Sequence, residues 1–172
     1  MGEPVVLVMG VSGSGKTTVG ETLAERTGWP FVDADLLHPQ SNIDKMEAGI
    51  PLTDADRIPW LELVADWIGR QHEAGLPGVV ACSALRRAYR DVLRKADPSL
   101  RIVYLQASRD LLVQRLRERK GHFFPRILLD SQLATLEEPG PDENAISVSI
   151  GQSLTSTVDT ILAGLGYAGP RG

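Results

Sequence analysis

The chain has 172 residues, of which 42% are hydrophobic and 23% are charged, and its formal net charge at pH 7 is −4. This composition excludes a disordered chain, and the charge argues against nucleic acid as a partner. The length predicts one domain over residues 1–172. No apolar run reaches the roughly 20 residues that a membrane span needs, so we expect no membrane contact. The single cysteine, Cys82, indicates a reducing, cytoplasmic location.

Apolar runs alternate with amphipathic segments along the chain. In chain order, we expect strand 4–9, helix 15–26, strand 31–33, helix 42–48, helix 53–73, strand 79–82, helix 86–96, strand 101–106, helix 110–119, loop 121–126, helix 128–136, strand 145–150 and helix 154–165. This alternation predicts an α/β fold, with a mostly parallel five-stranded sheet covered by helices on both faces. Ligands of such sheets bind at the carboxyl ends of the strands.

A phosphate-binding loop follows the first predicted strand. Residues 10–17 read G-V-S-G-S-G-K-T and match the pattern G-x-x-x-x-G-K-[ST]. Its glycines let backbone N–H groups surround phosphates, and the helix that follows presents its positive end to the same anions. Lys16 is expected on the β- and γ-phosphates, and the Thr17 hydroxyl is a candidate Mg²⁺ ligand. The predicted nucleotide contacts are Gly10, Ser12, Gly13, Ser14, Gly15, Lys16, Thr17 and Thr18.

Two carboxylates, Asp33 and Asp35, end the second predicted strand. On an extended segment, side chains spaced i, i+2 point the same way. One carboxylate can face Mg²⁺ while the other accepts a proton from a substrate hydroxyl. The alternative is a pair of solvated helix-capping acids. Their place beside a phosphate loop favours the catalytic interpretation.

Further polar groups follow the acidic turn. His38 precedes a proline, which restricts its backbone, and is a candidate substrate contact. Arg57 lies in the first turns of the 53–73 helix, where Thr53 is the expected N-cap and Asp56 completes an acidic capping box. Arg57 either binds an anion or pairs with Asp54 or Asp56.

The third predicted strand leads into Ser83, a candidate substrate contact, and into a helix that carries Arg86 and Arg90 on one face. Cations near a helix start oppose the helix dipole, so a substrate anion or a nearby acid is expected to compensate them. Trp60 and Trp67 lie one heptad apart on the preceding helix, and their spacing favours a core or dimer stripe over stacking on a nucleotide base.

Basic residues cluster at 115–122, namely Arg115, Arg117, Arg119, Lys120 and His122. Such a run is usually a solvated helix face. The glycine and paired aromatics that follow also suit a lid that closes over a phosphate. Arg119 is then a candidate to stabilise transition-state charge and Arg115 a candidate to stack on adenine, and the local sequence leaves open which arginine has which role. Beyond the lid, Gln132 is placed to reach a polyhydroxyl substrate.

Several longer strings carry a family resemblance. They are MGVSGSGKTT at 9–18, DAD-x-LHP at 33–39, NI-x-KM-x-x-G-x-PL-x-D-x-DR-x-PWL at 42–61, CSAL-x-x-x-YRD-x-LR at 82–94, RKGHFF at 119–124 and SQ-x-x-x-LEEP-x-x-DE at 131–143. Over about 9–143 the chain resembles the gluconate kinases, a shikimate-kinase-like P-loop family. The resemblance implies phosphorylation of D-gluconate by ATP to give 6-phospho-D-gluconate, with Mg²⁺, in a homodimer.

The resemblance also implies an architecture and residue roles. The expected strand order is 2-3-1-4-5, with a substrate-binding region at about 35–60, a mobile lid at about 117–128 and a flexible tail at 166–172. The resemblance implies that Asp35 is the catalytic base and that Lys16 and Arg119 are also catalytic. It implies that Thr17 and Asp33 contact the metal, and that Arg115 contacts adenine. The expected sugar-acid contacts are His38, Arg57, Arg90, His122 and Gln132, to which position adds Ser83 and Arg86.

Two other interpretations compete with this one. A kinase for shikimate would carry a glycine-rich turn after the third strand, where C-S-A-L stands at 82–85, and a nucleotide kinase would need a second base pocket. A nucleotide-gated switch would need a base motif such as N-K-x-D, which the sequence lacks. Histidine and arginine groups suited to hydroxyls and a carboxylate favour a sugar acid as acceptor.

Overall fold

The computed structural model describes residues 3–118 and 126–167. Its strands are β1 (Val5–Met9), β2 (Phe31–Asp33), β3 (Gly78–Ala81), β4 (Arg101–Gln106) and β5 (Ile146–Ser149). Its α-helices are α1 (Lys16–Thr27), α2 (Gln40–Glu47), α3 (Asp54–Glu73), α4 (Arg87–Ala96), α5 (Arg109–Glu118), α6 (Arg126–Thr135) and α7 (Leu154–Leu165). Each predicted strand and helix is present, and its bounds either match the prediction or differ from it by at most two residues. Two 3₁₀ helices, Ala34–Leu37 and Pro141–Glu143, were not expected.

The strands form one parallel sheet in the order β2-β3-β1-β4-β5. This confirms the predicted order and places β1 at the centre. All five residues of β1 are buried because helices cover both faces of the sheet. The carboxyl ends of the strands therefore share one edge, where the phosphate loop leaves β1 and the acidic turn leaves β2. None of the described helices is long and apolar enough to cross a membrane.

The side chains of alternate residues of β1 pack into two separate hydrophobic cores, one on each face of the sheet. Val5, Leu7 and Met9 pack in a cluster with side chains of α3 and α4, whereas Val6 and Val8 pack with side chains of α1 and α7. This is the pleat expected of a strand that is covered on both sides. The sheet is thereby fixed against four helices, which gives the site at its edge a rigid base.

The α3 helix carries the predicted tryptophans into the first of these cores. Trp60 is buried and Trp67 is partly buried against the same cluster, which confirms the core interpretation of Trp60. The start of the helix is fixed by the predicted capping box. Asp56 N donates to Thr53 Oγ1 at 3.1 Å, and Thr53 N donates to Asp56 Oδ2 at 2.9 Å. The position of Arg57, one residue later, follows from this cap.

Candidate active site

The phosphate loop joins β1 to α1. Gly13 and Gly15 have φ angles of 86° and 91°, in the left-handed region that favours glycine. Gly15 is also the N-cap of α1 and provides no side-chain cap, so the first N–H groups of the helix are left for an anion. Lys16 is only 7% exposed, which keeps its charge beside the loop. The loop is thus built to bind phosphates.

A cavity of about 330 Å³ lies over this loop. Besides the loop it is lined by Asp35, Arg115 and Glu118. Arg115 Nη1 donates to Ser14 O at 3.3 Å, which holds α5 against the loop. A smaller cavity of about 190 Å³ is also lined by Arg115, together with residues around the start of α7. Arg115 thus borders both cavities, and its contact with adenine stays a prediction.

The acidic turn gives its two carboxylates different surroundings. Asp33 Oδ2 accepts from Thr17 Oγ1 at 3.2 Å, and Asp33 Oδ1 accepts from Asp35 N at 2.9 Å. Asp35 itself is exposed. The expectation that both side chains point the same way assumed an extended segment. Here Asp33 ends β2, whereas Asp35 lies in the 3₁₀ helix, so only Asp33 is tied to the phosphate loop.

The pair Thr17 and Asp33 fits a magnesium ion that arrives with a nucleotide. Hydroxyl and carboxylate oxygens are ligands that Mg²⁺ accepts, and Mg²⁺ usually keeps waters and substrate phosphates as its other ligands. Within the described residues no group of three or more His, Cys, Asp or Glu side chains could hold a metal ion. A site made by two protein oxygens is therefore consistent with Mg²⁺ bound largely through phosphate.

A second cavity, of about 580 Å³, adjoins the first. We call it the acceptor cavity. Its walls combine apolar side chains of α2 and α3 with the predicted contacts His38, Arg57, Ser83 and Gln132. The residues that line both cavities are Ser12, Lys16, Thr17, Thr18 and Asp35. Lys16 and Asp35 therefore lie where a phosphoryl donor and an acceptor would meet.

Arg57 faces the acceptor cavity and is held by Tyr89. Its Nη1 donates to Tyr89 Oη at 3.0 Å, and that hydroxyl donates to Asp54. Asp56 binds Lys45 instead, and this hydrogen bond lowers the pKa of Asp56 to about 2. Among the described residues, neither Asp54 nor Asp56 forms the ion pair with Arg57 that was the alternative. The guanidinium charge is thus available to an anion in the cavity.

His38 lines the same cavity, stacked on Trp60 with ring centroids 4.2 Å apart. Burial lowers the pKa of His38, the Asp35 carboxylate opposes this change, and the Arg57 cation adds to it. The net effect keeps the imidazole neutral at pH 7. A neutral ring beside a carboxylate and a guanidinium suits the binding of hydroxyl groups.

Arg90 is not among the side chains that line either cavity, contrary to the expectation that it contacts the substrate. It is 0% exposed. Its Nε and Nη2 donate to Glu143 at 2.8 and 3.1 Å, and its Nη1 donates to Ala84 O at 2.9 Å. Ala84 has a φ of 44°, which is uncommon for a residue with a Cβ. Arg90 therefore supports the turn after β3, directly beside Ser83.

The remaining predicted contacts divide into three groups. Arg86 is exposed, with Nε 3.8 Å from Asp54 Oδ1, and does not line the cavity. Gln132 does line it, and also binds the phosphate loop: its Oε1 accepts from Ser12 N at 2.8 Å and its Nε2 donates to Ser12 Oγ at 3.3 Å. Arg119 and His122 lie outside the described residues, as do residues 119–125 of the predicted lid and 168–172 of the predicted tail.

Sequence reasoning missed three polar side chains at the site. Glu118 lines the cavity over the phosphate loop, Tyr89 holds Arg57, and Asn42 contacts His38. Tyr89 and Asn42 lay within the strings that carry the family resemblance, but no local rule gave either of them a role. Their partners lie on other elements, which is why helix periodicity alone did not reveal them.

Known proteins are similar to this chain over most of its length. A family model described as an AAA domain matches residues 5–139. A gluconokinase from Gluconobacter oxydans is 54% identical over 144 residues, covering 84% of this chain and 81% of that protein. The solved structure of a gluconokinase from Sinorhizobium meliloti has a TM-score of 0.88 at 47% identity, covering 95% of this chain and 92% of that one. A sugar kinase from Janibacter has a TM-score of 0.91 at 45% identity, covering 96% and 95%.

Proposed function

Since the chain belongs to the gluconokinase family, we propose that it transfers the γ-phosphoryl group of ATP to the C6 hydroxyl of D-gluconate, giving ADP and 6-phospho-D-gluconate. The observation that carries this proposal is the meeting of two cavities at Lys16 and Asp35. One cavity is floored by a phosphate loop, and the other is lined by hydroxyl- and carboxylate-binding groups. In-line transfer needs this juxtaposition of donor and acceptor.

At the meeting point, Asp35 accepts the proton of the attacking hydroxyl and Lys16 offsets the charge of the phosphates. The backbone N–H groups of the loop and the start of α1 hold the phosphates in place. Thr17 and Asp33 would hold Mg²⁺, which neutralises phosphate charge when bound. Asp33 also fixes Asp35, because its carboxylate accepts the Asp35 N–H.

In the acceptor cavity, Arg57 binds the carboxylate of the sugar acid, while His38, Ser83 and Gln132 bind its hydroxyls. A carboxylate recognised by a guanidinium distinguishes a sugar acid from a neutral sugar. From the family resemblance we add Arg119 as the lid arginine at the transition state and His122 as a further sugar-acid contact. A homodimer and a cytoplasmic location stay predictions, which size-exclusion chromatography with light scattering and cell fractionation would test.

A coupled ADP-release assay with an acceptor panel tests the activity. The panel contains D-gluconate, shikimate, D-glucose and nucleoside monophosphates, each with ATP and Mg²⁺. We expect turnover with gluconate and a product whose phosphorus couples to the C6 protons in NMR spectra. Turnover with a nucleotide or shikimate but not with gluconate would overturn the proposal.

A further inference from the structure

Asn42 is a buried polar side chain that the proposed mechanism does not use. It lies on α2 and is 2% exposed. Its amide nitrogen Nδ2 donates to Asp56 O at 2.9 Å and lies 3.2 Å from His38 Nδ1. A primary amide nitrogen carries two N–H groups and no acceptor lone pair. Asn42 Nδ2 can therefore donate one hydrogen bond to Asp56 O and another to His38 Nδ1, provided that both of these atoms act as acceptors.

The carbonyl of Asp56 fixes which end of the amide faces His38. A backbone carbonyl can only accept a hydrogen bond. Turning the amide over would place two oxygens, Asn42 Oδ1 and Asp56 O, at about the same 2.9 Å separation without a proton between them. That arrangement is repulsive, and burial removes the water that would relieve it. The group that faces His38 Nδ1 is therefore an N–H donor.

This contact decides where His38 carries its proton. A neutral imidazole has one nitrogen that donates and one that accepts. Since Nδ1 must accept from Asn42, the proton resides on Nε2. Stacking on Trp60 at an interplanar angle of 12° fixes the plane of the ring, and Trp60 is itself held because its Nε1 donates to Ala34 O at 2.7 Å. Turning the ring over within that plane would place a C–H group instead of Nδ1 against Asn42 Nδ2, which would leave a buried N–H without its acceptor.

We propose that Asn42 is a positioning residue that holds His38 as the Nε2–H tautomer, so that His38 offers the acceptor substrate an N–H donor rather than a lone pair. Nδ1 is already engaged, which leaves Nε2 as the ring nitrogen available to the cavity. The carboxylate of Asp35 accepts only, so Asp35 and His38 present opposite hydrogen-bonding characters within one cavity. A polyhydroxyl substrate then has the direction of its hydrogen bonds fixed at both points.

The charges around His38 are consistent with this tautomer. Asp35 faces it from the 3₁₀ helix and Arg57 from α3, while Asp56 of α3 is paired with Lys45 of α2. Burial is the largest influence and lowers the pKa of His38, so the ring is neutral and has a defined tautomer at pH 7. The assignment concerns His38 alone, whereas its benefit to substrate binding rests on the proposed function.

The test is ¹⁵N NMR of the histidine rings in the full-length protein at pH 7.5. The chain has three histidines, so spectra of H72Q and H122Q assign the His38 signals by elimination. Bare and protonated ring nitrogens differ widely in ¹⁵N shift. We expect His38 to show a protonated Nε2 and a bare Nδ1. An Nδ1–H tautomer or a doubly protonated ring in the unmodified protein would overturn the proposal, and this measurement requires no variant of Asn42.

A near-isosteric variant extends the test to the role of Asn42. In N42D a carboxylate replaces the amide, so Nδ1 must carry a proton, and His38 becomes either the other tautomer or an imidazolium. We expect that change in the spectrum, together with an increase of about tenfold in the KM for gluconate and little change in the KM for ATP. The matched control is N144D, at the chain's other asparagine.

The outcomes of the two measurements separate the two proposals. An unchanged His38 spectrum in folded N42D would overturn the positioning role, whatever the substrate is. The expected spectra without any turnover of gluconate would leave the tautomer assignment standing and contradict the proposed function instead. If N42D gave the expected spectra but raised the KM for gluconate and the KM for ATP equally, the tautomer of His38 would not act on the acceptor in particular, and that part of the proposal would be overturned.

Discussion

The two sides of the site are built in different ways. The nucleotide side is a contiguous loop between β1 and α1, and it binds mainly through backbone groups. The acceptor side is made largely of side chains from the segment between β2 and β3, which contains the 3₁₀ helix, α2 and α3. Ser83, after β3, and Gln132 of α6 complete it. There His38 is held by Asn42 and Trp60, and Arg57 by Tyr89. A phosphate site can thus be specified by one local motif, whereas acceptor recognition depends on contacts made only after folding.

The largest effect is expected where the two sides meet. D35N removes the carboxylate that we propose accepts the proton, while preserving the shape of the side chain. General acid–base catalysis contributes roughly 10²- to 10⁴-fold, so we expect kcat to fall by about that factor. The KM for ATP should change little, because Asp35 lies where the two cavities meet, outside the phosphate loop, and asparagine keeps its size there. Steady-state kinetics with gluconate and ATP varied in turn measure both values.

The matched control for D35N is D66N, which makes the same chemical change at an exposed position on α3, away from both cavities. D66N should keep full activity. If D35N also kept full gluconate-dependent turnover, Asp35 could not be the base, and the place where the two cavities meet would not be the site of proton transfer.

The contrast between the two sides also explains what sequence could predict. Strand order, helix bounds and the phosphate loop follow from local patterns and from the family strings, and they are found nearly as expected. The acidic turn was predicted in place but not in shape. Helix capping was the alternative to the catalytic interpretation, and for Asp33 the structure bears it out, because its side chain caps a 3₁₀ helix by accepting from Asp35 N. The different surroundings of Asp33 and Asp35 follow from that cap.

Arg90 shows the limit of local reasoning most directly. Its place near the start of α4 correctly implied a compensating anion, either a substrate or an acid. The anion is Glu143, which lies 53 residues further along the chain. No spacing rule links the two residues, and only the packing of the second 3₁₀ helix against α4 brings them together. An arginine that looked like a ligand contact proved to be part of the scaffold.

The second prediction tests that scaffold. Burial opposes ionisation of Glu143, but hydrogen bonds from Arg90 and Arg94 lower its pKa from 4.5 to about 2. A lowered pKa means that the ionised carboxylate stabilises the fold above pH 4.5, and that this contribution is lost as the pH falls towards 2. E143Q leaves Arg90 buried without a counter-charge. We expect the free energy of unfolding at pH 7 to fall by about 3 kcal/mol.

Urea unfolding at several pH values measures this effect. The difference between the unmodified protein and E143Q should be largest at neutral pH and should shrink below pH 4.5. E62Q, at an exposed glutamate of α3, should leave unfolding unchanged. A difference that stayed constant down to pH 2.5 would mean that the charge of Glu143 is not what stabilises the turn after β3.

The third and smallest effect is expected on the acceptor side alone. R57M removes the guanidinium that lines the acceptor cavity and that we propose binds the sugar-acid carboxylate. Hydrogen bonds to charged groups contribute about 1.5–3 kcal/mol, so kcat/KM for gluconate should fall roughly 10- to 100-fold, mainly through KM. The KM for ATP should be unaffected, since Arg57 lines only the acceptor cavity. R70M, further along the same helix, is the matched control and should behave as the unmodified protein.

R57M also bears on whether the two sides are independent. Arg57 is one of the influences that lower the pKa of His38, so its loss should raise that pKa. Protonation would then extend to higher pH, and the acid limb of the kcat/KM profile for gluconate should move upward in pH. The corresponding profile for ATP should not move. An equal loss of ATP affinity would contradict the division into two sides, because a side chain confined to the acceptor cavity has no contact through which to alter the phosphate loop.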